Sequence, residues 1–259
     1  MKGSLWDWLT GYAAVAFLVI EAVRQRRRLA AAWSEVTPGA RWTRGLGAAL
    51  ALLALAVVLR VTSPPLYVRF SAEAGLWEPL TLFCYLAAAV LVGGVSGEVG
   101  GAPRKHWRFI AGLYVLMALE EVDYFGAFGG MIGRIEGVYV GSLHDLILLA
   151  VDGLLSAGAW AAIAAASGAV LLGLWWLGYL QPRALLRLVF SRDFLWIGVG
   201  LLFLFAAAAV EARLLGWASR EPTFEEAIEM AGGICFFCFA LQIAATRARP
   251  HAGVSGAAI

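Results

Sequence analysis

LGAALALLALAVVLRVT, residues 46–62, carries a single charged side chain, Arg60, in seventeen residues. A helix that crosses a bilayer needs about 20 mostly apolar residues. Inside the hydrocarbon its backbone must satisfy every hydrogen bond internally, so a run of this kind reads as a spanning helix. Six further stretches read the same way, at about 5–23, 78–96, 108–125, 156–180, 194–216 and 224–245. The whole chain agrees: of 259 residues 61% are hydrophobic and 15% charged, with a mean hydropathy of +0.79. A soluble domain is about half apolar and a quarter charged. The fold class expected is all-α, a polytopic transmembrane helical bundle of about seven spans. Residues 1–246 form one transmembrane domain, and 247–259 form a disordered cytoplasmic tail.

The segment SLHDLILLAVDGLL, 142–155, is an additional helical stretch ahead of the fifth span. Joined to that span it would measure about 58 Å at 1.5 Å per residue, nearly twice the hydrocarbon thickness. It is therefore expected to lie at the interface, re-enter, or form a short span of its own. The start, MKGSLWDWLT, has no basic n-region, and the first apolar run is read as a retained span. Eleven Trp suit a protein with two membrane interfaces. Cys84, Cys235 and Cys238 all fall in apolar segments, so no disulfide framework is implied, and the CxxC spacing of CFFC (235–238) reads as packing.

Charge sets the expected orientation. With the N-terminus outside and the C-terminus inside, fourteen of the twenty Lys and Arg fall on the cytoplasmic side, including Arg24, Arg26, Arg27, Arg28, Arg104 and Lys105. The location expected is the bacterial inner membrane. The acids segregate the other way. Of eighteen Asp and Glu, only Glu21, Glu35, Glu98 and Asp193 belong to the cytoplasmic side. The positive-inside rule does not require this, because acids contribute little to orientation.

The outer acids gather at a few helix ends. LEEVDYFG, 119–126, places Glu120, Glu121 and Asp123 at the end of the fourth span. His144 and Asp145 open the extra helix, with Asp152 two turns on. Asp145 and Asp152 are about 20° apart around a helix and share a face. Glu225, Glu226 and Glu229 open the seventh span, Glu211 lies near the end of the sixth, and Glu136 sits in the glycine-rich connection 126–141. Local helix chemistry explains some of these. TFEE at 223–226 is a capping box after Pro222, acids suit a first turn, and Ser142 can cap SLHD. It does not explain Glu120 and Glu121. They lie at a helix C-terminus, where the dipole disfavours negative charge, with no Lys or Arg three or four positions away. Two carboxylates about 6 Å apart repel by roughly 3 kcal/mol at an effective dielectric near 20. Such a pair must hold a proton, bind a cation, meet an arginine, or reach water.

Carboxylates with one imidazole make a hard oxygen site for Mg²⁺, Ca²⁺ or Mn²⁺, and less readily Zn²⁺. The expected ligand set is Glu120, Glu121, His144, Asp145 and Glu229, with Asp123, Glu136, Asp152, Glu211, Glu225 and Glu226 in support. The function expected is cation or proton binding, in transport or simple binding. Alternatives are a membrane-embedded metal-dependent enzyme acting on a lipid-linked substrate, and an accessory subunit of a membrane complex. Partners expected are lipids and other membrane subunits, not nucleic acid. The glycines of 126–141 lack the Lys-Ser/Thr of a phosphate loop, so no nucleotide is expected.

ALEEVDYF followed by IEGVYVGSLHDL resembles a group of bacterial polytopic membrane proteins without an established activity. Their pattern is Glu-Glu-Ile-Ser-Trp-Gly-Gln, then a loop Glu and a His-Asn helix start. Glu120 and Glu121 match the acid pair, Glu136 the loop acid and His144 the histidine. Phe125 stands in place of Gly, the Gln is missing, and Asp145 replaces Asn. The resemblance covers about 30 residues and implies that the acids and His144 form one unit. Retinal is not expected, because the only lysines are Lys2 and Lys105 and neither lies in the last span.

The orientation is tested by thiol labelling of intact cells. A Gly39→Cys variant should be shielded from a membrane-impermeant reagent and a Gly130→Cys variant should label, whereas the reverse pattern would invert the topology.

Overall fold

The computed structural model describes residues 5–71, 75–99, 101–121, 156–211 and 223–248. Within them the chain forms nine helices and no strand: α1 (Leu5–Glu35), α2 (Pro38–Thr62), α3 (Pro64–Phe70), α4 (Trp77–Glu98), α5 (Gly101–Glu120), α6 (Ala157–Trp176), α7 (Pro182–Val189), α8 (Phe194–Glu211) and α9 (Thr223–Ala248). Four are long and apolar enough to cross a membrane, namely Pro38–Thr62, Trp77–Glu98, Ala157–Trp176 and Phe224–Thr246. The pair α7 and α8, bent by 84° at the break, makes a fifth if it is one span. The extra stretch 142–155 lies outside the described residues. The last helix, whose span was expected to end at about 245, continues to Ala248, two residues into the expected tail, and the remainder of the tail lies outside the described residues.

Local chemistry sets several of the boundaries. Thr37 accepts a hydrogen bond from the Ala40 amide and Pro38 occupies the first turn of α2. Ser156 caps α6 by accepting from the Ala159 amide. The far end of α6 closes in a Schellman turn. Gly178 adopts φ +75°, its amide donates to Trp175 O, and the Tyr179 amide donates to Leu174 O. Lys105 Nζ, from the first turns of α5, donates to the Leu177 carbonyl. A cation thus sits at the negative end of α6. In α7, PRALLRLV, Arg183 and Arg187 are one turn apart, and a short helix of this kind suits a bilayer surface.

The core is built on α9. It packs against α4, α8, α2 and α1, and α5 packs against α4. Helix α9 runs antiparallel to α2: Arg41 near the start of α2 meets Gln242 near the end of α9, and Ala56 near the end of α2 clusters with Ala227 and Met230. It runs antiparallel to α8 as well, since Gly200 approaches Phe236 and Gly232 while Val210 clusters with Ile228. The bundle therefore has two distinguishable ends. One holds the starts of α4 and α9 and the ends of α2, α5 and α8. The other holds the end of α1, the starts of α2 and α5, and the ends of α4, α6 and α9.

The second end is tied by a buried guanidinium. Arg41 Nε donates to Val36 O at 2.8 Å, Nη2 to Ser34 O at 2.9 Å and Nη1 to Gln242 Oε1 at 2.7 Å. It clamps the α1–α2 turn onto α9. Next to it the Trp42 and Trp196 rings stack at 3.9 Å and 4°. One turn along, Gly45 makes room for that stack. A Cβ at Gly45 would come within 2.8 Å of Cys238 Sγ and 2.9 Å of Trp196 Cζ3.

Three substitutions separate these contributions. Arg41→Lys keeps the charge but loses the planar fork, and should cost about 2–4 kcal/mol of unfolding free energy. Gly45→Val should cost at least about 2 kcal/mol through overpacking, while Gly47→Val, where a Cβ meets nothing within 4 Å, should be close to neutral. Equal effects at Gly45 and Gly47 in a detergent unfolding assay would contradict the packing described.

Candidate functional site

Glu120 closes α5 and Glu121 occupies the turn that follows. Both are partly buried. The helix stops here, short of the span end expected at 125, so the two acids sit at its C-terminal edge. The carboxyl group of Glu121 interacts electrostatically with Glu229, Glu226, Glu78 and Glu120, in that order of strength. The four come from three helices. Glu226 and Glu229 lie in the first turns of α9, Glu78 in the first turn of α4, and Glu120 in α5. Each is partly buried. Glu121 thus feels like charge from three helices at the end of the bundle opposite Arg41.

The antiparallel packing of α4 with α5, and of α5 with α9, produces this meeting. Helices α4 and α9 both begin at this end, where acids suit the positive pole of the helix dipole. Helix α5 ends here, where the dipole offers no such compensation. Glu121 is therefore the member whose charge is least favoured by its own helix, and it is the one surrounded by the others.

Beneath the carboxylates lies a floor of buried hydroxyl-bearing side chains. Tyr85, seven residues and two turns below Glu78, interacts electrostatically with Glu121, then Glu229. It is 2% exposed. Tyr114, two turns below Glu121 on α5, donates to the Phe236 carbonyl at 3.2 Å. Thr81 donates to Trp77 O at 3.0 Å and contacts Met230 Sδ at 3.5 Å. Further along, the central cluster is apolar: Ala88, Val92, Ile110, Phe239 and Ala240 fill it.

Of the expected ligand set, Glu120, Glu121 and Glu229 come together with Glu226. Glu225 shares the first turn of α9, and Glu211 ends α8, its side chain outside the described ones. His144, Asp145, Asp123, Glu136 and Asp152 lie outside the described residues, as does the Thr223 side chain on which the capping box depends. Among the described residues no three His, Cys, Asp or Glu side chains are close enough together to hold a metal ion. Two participants are new. Glu78 and Tyr85 carried no site expectation, yet span parity was the signal that would have found Glu78. The start of the third span lies on the same side as the end of the fourth.

Fold and composition together define an all-helical protein with several helices able to span a membrane. Compared with protein-family models, curated proteins and solved structures, the chain matches none.

Proposed function

We propose that the chain is a polytopic protein of the bacterial inner membrane, with seven spans, the N-terminus outside and the C-terminus cytoplasmic, whose outward-facing carboxylates bind a cation or protons. The seven spans are α1, α2, α4, α5, α6, α8 and α9. The observation that carries the reading is the like-charge surround of Glu121 by Glu229, Glu226, Glu78 and Glu120. Carboxylates gathered from separate helices on a partly buried surface repel one another, and a proton or a cation relieves the repulsion.

Retention of protons at pH 7 and binding of a hard divalent ion use the same chemistry, since each neutralises part of the cluster. A complete ion site draws on His144 or Asp145 from the helix start expected next in the chain. Among the described residues the apolar centre below Tyr85 and Tyr114 favours binding at one end over a continuous polar route through the bundle. In this reading Tyr85 orients or relays protons at the floor of the site and is not itself a ligand.

Glu121→Gln preserves shape and removes the most crowded charge. Purified wild-type protein, stripped with chelator and titrated with Mg²⁺, Ca²⁺ and Mn²⁺, should gain thermal stability with at least one of them, as any ligand of the native state confers. The variant should need about tenfold or more of the ion for the same gain. If protons fill the role instead, no ion has an effect, and the wild type should lose stability as pH rises while Glu121→Gln should not. A wild type indifferent to both ions and pH would refute the proposal.

A further inference from the structure

At the end of the bundle opposite the acids, Arg26, Arg27 and Glu98 line an open-sided recess between α1 and α4, with Leu91 and Val95 forming its inner wall. Arg26 lies across Gly94. A Cβ added at Gly94 would make van der Waals contact with Arg26 Cδ at 3.4 Å and Nε at 3.5 Å, so the Arg26 side chain rests against this turn of α4. Arg26 is partly buried and Arg27 exposed. Glu21, the acid one turn before Arg24 and Gln25 on the same helix, is engaged elsewhere: it pairs with Arg24 at 3.3 Å and accepts from Gln25 at 2.8 Å. Among the described residues Arg26, Arg27 and Glu98 form no ion pair or hydrogen bond with one another, although they border one recess.

We infer that this recess holds the headgroup of a phospholipid whose phosphodiester is followed by an ammonium group, the phosphate on Arg26 and Arg27 and the ammonium on Glu98. Two guanidinium groups match one phosphodiester, and Arg is the side chain best suited to paired contacts with phosphate oxygens. Glu98 excludes a second negative group and favours a positive one. Unpaired charges of both signs around one space match a ligand that is itself dipolar. The lipid origin follows from position. Glu98 is the last residue of α4, a helix able to span a membrane, so the recess lies at headgroup level. Val95 and Leu91, one and two turns below it, are buried and form the apolar inner wall of the recess. The inference is independent of the acidic site.

Native mass spectrometry of the delipidated full-length protein, titrated with phosphatidylethanolamine and phosphatidylglycerol of matched chains, tests it. Phosphatidylethanolamine should bind about fivefold tighter or more, the scale of one charge-assisted hydrogen bond. Arg26→Gln should weaken phosphatidylethanolamine binding by a similar factor, and Glu98→Gln should erase the preference between the two lipids. Gly94→Leu, which fills the floor under the guanidinium and leaves all three charges in place, should reproduce the Arg26→Gln loss if that variant folds poorly. Equal binding of the two lipids, or unchanged preference in Glu98→Gln, would overturn the assignment. Displacement by soluble glycerophosphoethanolamine at the same concentration as lipid would overturn the lipid source.

Discussion

Helix α9 passes between α4 and α8 almost backbone to backbone, and the rest of the arrangement depends on that approach. Residues 231–233, Ala-Gly-Gly, make it possible. A Cβ at Gly232 would lie 3.2 Å from the Gly200 carbonyl oxygen, and one at Gly233 would lie 3.4 Å from Cys84 Cβ. In lipid there is no hydrophobic drive to push helices together, so close packing through small residues supplies the association. Once α9 is central, its first turns are fixed beside the first turn of α4 and the last turn of α5. The meeting of Glu78, Glu121, Glu226 and Glu229 is a consequence of helix packing and not of any local sequence motif.

The two ends of the bundle handle charge differently. At the Arg41 end the buried cation donates to two backbone carbonyls and a neutral amide at 2.7–2.9 Å. Lys105 likewise caps the carbonyl end of α6. These cations act structurally, through hydrogen bonds to the polar ends of helices. At the other end, carboxylates from α4, α5 and α9 bring like charge to Glu121. A buried or half-buried charge that serves only stability is satisfied by a partner of opposite sign or by helix dipoles. A group of like charges costs stability, and such arrangements are characteristic of functional sites.

Much of this was legible in the chain. The helical class, most helix positions and the odd status of Glu120 and Glu121 follow from apolar run length and from the dipole argument. Helix ends depend on capping and packing as well as on hydropathy, and hydropathy alone does not place the end of α5 at Glu120. The role of Gly45, Gly94, Gly232 and Gly233 was not legible, because a glycine in a helix announces a close approach only when its neighbour in space is known. Arg41 read as a topology charge, and only the fold shows that it is the clamp between α2 and α9. Glu78 drew no reading from the sequence for the same reason: its neighbours belong to other helices.

The central claim is that Glu121 and Glu229 feel each other across two helices. A double-mutant cycle in unfolding free energy, with Glu121→Gln, Glu229→Gln and the pair, measures this directly at a pH where both acids are ionised and without divalent ions. Each single change relieves the shared repulsion, so the double variant should gain less than the sum of the two, with a coupling of about 0.5–3 kcal/mol. Additivity to within about 0.3 kcal/mol would mean that the two carboxylates do not interact, and the account of the site would fail with it.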